Sequence, residues 1–141
     1  MDDTIRRTRR KGSVNDVRPR LSTLWIVVMF NMLFADVLTL YIPEHLQDAL
    51  SGSTPVEITE ELMLAMAVII QIPILMIYLS RYLEYRVNRW ANMIAGAITI
   101  VFVFVVAGGS LVLHYVFFAA VEVVCLTLII WYAWKWQDAE A

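Results

Sequence analysis

Charge is the first thing this chain is short of. Only 17% of its 141 residues are Asp, Glu, Lys or Arg, against about a quarter in a soluble domain. Cysteine is nearly absent too. The single Cys125 excludes an intrachain disulfide and a thiolate metal cluster. Lys and Arg are missing altogether from residues 43–61 and 108–110, which marks those stretches as non-cytoplasmic if the chain crosses a membrane. The apolar run behind the basic N-terminus has no small-x-small cleavage site and is too long for a signal peptide's apolar region. It is therefore expected to stay as a helix.

What the chain has instead is apolar length: 60% of the residues are hydrophobic. The excess gathers in four runs, 21–42, 62–83, 90–107 and 111–136, each near or above the ~20 residues that cross a bilayer. Too little sequence remains to bury four such runs inside a soluble fold. The short connections favour antiparallel neighbours. The expected fold is all-α, a membrane-embedded antiparallel four-helix bundle without a soluble module.

Charge placement gives a topology. Seven of the eleven cations precede the first run, three (Arg81, Arg86, Arg89) lie at the end of the second and in the link to the third, and Lys135 lies at the end of the fourth. The positive-inside rule then puts both termini and the middle loop in the cytoplasm of a cell-membrane protein. All five tryptophans, Trp25, Trp90, Trp131, Trp134 and Trp136, lie near those same ends, as an interfacial aromatic belt would. Residues 1–20 read as a basic, disordered cytoplasmic arm and 137–141 as a short cytoplasmic tail.

Local signals punctuate the runs. Pro43 should end the first helix or start a short outer one, in which Leu46, Ala49 and Leu50 share a face before Gly52 breaks it. Thr54-Pro55-Val56-Glu57 has the form of a capping box with proline at N1, placing the start of the second long helix there. Asn88 is a candidate cap for the third. Ala91, Ala95 and Thr99 give that helix a small-residue face. Gly108-Gly109-Ser110 reads as a tight turn with Ser110 as the next cap.

Two acids interrupt the apolar runs. An ionised side chain at the centre of a span costs about 2.5–3.5 kcal/mol on insertion scales, so it marks a functional site by default. Asp36 lies six residues from Ile42, about 9 Å from the outer boundary at 1.5 Å per residue. Glu122 is eleven residues into the fourth run, level with Asn31 and Gln71. Tyr115 and Phe118 share its helix face. Pro73 removes a hydrogen bond near Gln71 and should kink the second helix or free a carbonyl there. The expected site is a polar cavity open to the outside: Asp36, Glu122, Gln71 and Asn31 bind ligand, while Pro73, Tyr115 and Phe118 shape the walls. Each amide has an ordinary alternative as a hydrogen bond between helices, and His114 reads as an interfacial residue.

Two resemblances attach to these residues. Leu21-Ser-Thr-Leu-Trp-Ile26, Phe30-Asn-Met-Leu-Phe-Ala-Asp36, Arg86-Val-Asn-Arg-Trp-Ala-Asn92 and Ile129-Ile-Trp-Tyr-Ala-Trp-Lys-Trp136 resemble a family of small prokaryotic four-span membrane proteins of unknown function. Phe34-Ala-Asp36 with Ile42-Pro43-Glu44, and Gln71-Ile72-Pro73, are similar to motifs of the sigma-2 receptor and emopamil-binding (sterol isomerase) superfamily. That resemblance implies an acid-lined cavity for sterols and lipophilic amines, with Asp36 and Gln71 in its wall. The sequence departs from it at Ala67, where the superfamily carries an acid one turn before the glutamine; Glu122 would have to replace that acid from another helix.

Three functions fit the pattern. The leading one is binding of a small lipophilic or cationic ligand, with Asp36 as counter-ion. If the protein is an enzyme, the expected reaction is isomerase-like proton transfer on a lipid. The second is proton-coupled transport by a homodimer, with Glu122 alternating between protonated and substrate-bound forms. The third is a non-catalytic membrane subunit whose acids only pair helices. The expected surroundings are the lipid bilayer, with no nucleic acid, no metal and no cofactor.

Overall fold

The computed structural model describes residues 17–53, 57–108 and 112–136. These form five helices: α1 Val17–Thr39, α2 Pro43–Ser51, α3 Glu60–Tyr82, α4 Tyr85–Ala107 and α5 Leu113–Lys135. The four long helices have 23 residues each, about 35 Å at 1.5 Å per residue. All four are long and apolar enough to cross a membrane, the mark of a multi-pass membrane protein. Around the bundle the order is α1, α3, α4, α5 and back to α1, with the α3–α4 contact the thinnest side. Each long helix thus packs against its neighbours in the chain, and α5 closes the ring on α1.

The helix ends follow local chemistry. α1 begins one turn before Leu21, with Pro19 in a first turn where its missing N–H breaks no helical bond. Pro43 occupies the start of α2 behind Ile42, and Gly52 ends that helix at φ 70° with its N–H on the Asp48 carbonyl. That left-handed turn suits glycine. The short helix expected after Pro43 therefore exists, bounded by the residues that predicted it.

Two helix starts differ from expectation. α3 begins at Glu60, and residues 57–59 are not helical. The cap is Thr59, whose hydroxyl accepts from the Leu62 N–H at 3.2 Å, with Glu60 and Glu61 in the first turn where the helix dipole favours anions. The Thr54–Val56 part of the expected capping box lies outside the described residues. So do residues 1–16 of the arm, Gly109 and Ser110 of the turn, and the 137–141 tail. α4 begins at Tyr85 rather than at Asn88. Asn88 sits one turn inside it, fully buried, and its side chain serves the interior instead of the helix end. α3 itself continues through Pro73, which is buried.

The close-packed half of the bundle is the end carrying Arg81, Arg86, Arg89 and Lys135, here termed the basic end. Leu21, Trp25 and Val28 of α1 interlock there with Leu126 and Ile129 of α5, all fully buried. Gly96 lets α4 approach α5: a Cβ at that position would lie 2.9 Å from Ile130 Cγ1.

Trp25 corrects the interfacial-belt reading for one of the five tryptophans. It is fully buried, whereas Trp90, Trp131 and Trp134 are exposed. A buried indole needs an acceptor, and Asn92 supplies one: Trp25 Nε1 donates to its Oδ1 at 2.8 Å. Ser80 Oγ donates to the same oxygen at 3.1 Å. The Asn92 amide donates to Asn88 Oδ1 at 2.6 Å, and Asn88 donates to the Ser80 carbonyl at 2.7 Å. Beside this group Ser22 donates to the Ile77 carbonyl at 2.8 Å and accepts from Arg81 Nε at 3.0 Å. Three helices are thereby tied at one level by mutually satisfied polar groups.

Candidate functional site

The opposite half of the bundle is built differently. A cavity of about 170 Å³ lies among α1, α3, α4 and α5 toward the ends where α1 finishes and α5 starts. Its α1 wall is Met29, Met32, Leu33 and Asp36, a spacing of three and four residues that forms one helix face. Met66 and Ile70 of α3 face them. Phe102, Val103 and Val106 of α4 close another side, and Tyr115 and Glu122 come from α5.

The two acids occupy different depths. Asp36 is three residues from the end of α1, and Glu122 is nine residues from the start of α5. Asp36 is exposed, whereas Glu122 keeps only 4% of its surface accessible. Asp36 thus forms the mouth and Glu122 the floor. They lie within Coulombic reach of one another and of the Tyr115 hydroxyl. Among the described residues, no side chain donates a hydrogen bond to either carboxyl group, and no Lys or Arg lines the cavity. Buried polar groups are normally satisfied within the protein; Glu122, buried as a residue, instead turns its carboxyl to the cavity.

The other residues singled out from the sequence lie elsewhere. Asn31 is half-buried and donates to the Val27 carbonyl of its own helix at 2.8 Å. Gln71 is exposed on α3, one residue beyond Ile70 but turned away from the cavity. Pro73 is buried below the cavity's α3 wall without lining it. Phe118 is half-buried and packs edge-on against Phe117. His114 meets Thr39 Oγ1 at 3.2 Å, linking α5 to α1 near the mouth.

Eight of the lining residues were not singled out from the sequence, among them the methionines Met29, Met32 and Met66. Their signal was available, since Met29 and Met32 precede Asp36 by seven and four residues on the same face. Methionine is unbranched and polarisable, and adapts to irregular contents. The cavity therefore combines deformable apolar walls, one aromatic hydroxyl and two acids. Such a site can enclose an apolar body and neutralise a positive charge. Among the described residues no group of three or more His, Cys, Asp or Glu is placed to hold a metal ion.

Comparison with curated proteins finds no match, and comparison with solved structures finds none either. Residues 13–141 match the family described as "Family of unknown function (DUF6326)", and the chain belongs to that family.

Proposed function

We propose that the cavity binds a small lipophilic cation, such as an amine carrying an apolar substituent. The observation that carries this reading is Glu122: a nearly buried carboxyl, without a hydrogen-bond donor among the described residues, facing Asp36 across an apolar cavity. Two acids in one low-dielectric space oppose each other when both are ionised, and a bound cation relieves that opposition. Asp36 at the mouth meets the charge first, Glu122 holds it at the floor, and the Tyr115 hydroxyl and ring add a polar contact and a π face. The methionines and Phe102 cover the apolar part. This is also the ligand class that the resemblance of Phe34-Ala-Asp36 to the sigma-2 and emopamil-binding superfamily would imply.

The test is binding of benzyltrimethylammonium to the purified protein in detergent, followed by its effect on thermal unfolding. Wild type should be stabilised in proportion to the logarithm of probe concentration, and Asp36→Asn should lose most of that stabilisation. Equal stabilisation of both proteins would remove Asp36 from the site. Proton release when the probe is added, absent in Glu122→Gln, would extend the reading to proton-coupled exchange.

A further inference from the structure

α3 is the least enclosed of the long helices. Of its most apolar window 11% is buried, against 28% in each of the other three. Its inward face, Met66, Ile70, Pro73 and Ser80, meets the cavity and the bundle interior. The opposite face carries Leu64, Val68, Gln71, Leu75, Tyr78 and Tyr82, all exposed. These six are spaced four, three, four, three and four residues apart, the 3.5-residue repeat that keeps a seam facing a partner helix along its length. The seam runs for about 27 Å at 1.5 Å per residue, nearly the thickness of a hydrocarbon core.

Gln71 is the odd member. It is the central residue of α3, eleven residues from either end, so about 16 Å of helix separates it from each boundary. Its side chain is too short to reach an interface from there. Among the described residues nothing hydrogen-bonds to its amide. Asn31, Thr99 and Thr127, non-acidic polar side chains at similar depth, each bond a carbonyl of their own helix. A primary amide carries donors and acceptors together, so it is complementary to another copy of itself. Two copies inserted with the same orientation and related by a two-fold axis along the membrane normal would bring Gln71 opposite the partner copy's glutamine at equal depth. A polar residue at one seam position also fixes register and partner number.

We infer that the protein is a parallel homodimer joined through the outer face of α3, with the paired Gln71 amides at its centre. This seam lies on the side of α3 away from the cavity, so the dimer and the ligand reading stand or fall separately.

The experiment uses the full chain in liposomes, with Cys125→Ala to remove the native thiol. Leu75→Cys on the seam should form an interchain disulfide on mild oxidation, and Val101→Cys on the exposed face of α4 should not. Adding Gln71→Leu to the seam variant should weaken dimerisation about ten-fold, and Gln71→Asn should restore much of it. Counting photobleaching steps of labelled protein at falling protein-to-lipid ratio measures the same equilibrium without cross-linking. Monomers at every ratio, or equal cross-linking from α3 and α4, would overturn the inference and leave the face to lipid or to a different membrane protein. A dimer indifferent to Gln71→Leu would refute the amide pair.

Discussion

The two halves of this bundle treat polar groups in opposite ways. Toward the basic end, Ser22, Trp25, Ser80, Asn88 and Asn92 are all fully buried and bonded to one another or to backbone carbonyls. Toward the other end, Asp36, Tyr115 and Glu122 surround open space without hydrogen bonds among the described residues. Helices in lipid gain little from apolar burial against one another, because the surrounding tails are equally apolar. Their association rests on close packing and satisfied hydrogen bonds. By that measure the basic half holds the bundle together, whereas the cavity half forgoes packing and keeps its acids available. On the proposed function, stability and binding are thus divided along the bundle axis. The division is not perfect: Arg89 Nε, near the basic end, is a buried nitrogen without a partner among the described residues.

The division predicts opposite signs for the same kind of substitution, read by chemical unfolding in mixed micelles. The largest effect should come from Trp25→Ala, which empties the centre of the packed half and frees its partner amide. A loss of about 3–5 kcal/mol is expected. Asn92→Leu comes next. It strands the Trp25 N–H and the Ser80 hydroxyl together, and should cost about 2 kcal/mol. In the cavity half, Glu122→Met replaces an acid lacking partners by an apolar side chain of similar length. It should raise stability by about 1 kcal/mol while abolishing cation binding. A destabilising Glu122→Met would mean that the acid supports the fold, and the two halves would not differ as described. Thr39→Val, which removes the contact to His114, should shift stability by only about 0.6 kcal/mol.

Much of the fold was legible in the sequence, because four apolar runs of spanning length leave few alternatives. The ends of those runs were less so. Hydropathy registers a helix only where it is apolar, so the first turns of α1 and α4, with Arg18, Arg20, Arg86 and Arg89, fell outside the predicted spans. Trp25 was misread for a related reason. A tryptophan near a span end is usually interfacial, and only its i+67 partner Asn92 shows that this one is internal. Asn88 and Asn92 stand one turn apart in a span, which could have suggested a buried pair but not its partners on other helices.

At the cavity, depth was readable and direction was not. Counting residues put Asn31, Gln71 and Glu122 at one level, and the structure then turns Gln71 outward and bonds Asn31 to its own helix. Sequence spacing fixes which residues share a face. Which face looks inward depends on what the other helices offer, and Met66 and Ile70 rather than Gln71 line the cavity. Asp36, Tyr115 and Glu122 come together because α1 and α5 meet at both ends, Arg18 over the Trp136 ring and Thr39 against His114.

On the proposed function, the two acids select for positive charge. Benzyltrimethylammonium and neopentylbenzene have nearly the same shape and differ by one charge. Their dissociation constants should be measured for wild type and for the double variant Asp36→Asn/Glu122→Gln. Wild type should prefer the cation by about ten-fold or more, and the double variant should show no preference. Equal affinities in wild type, or a cation preference that survives loss of both acids, would contradict it.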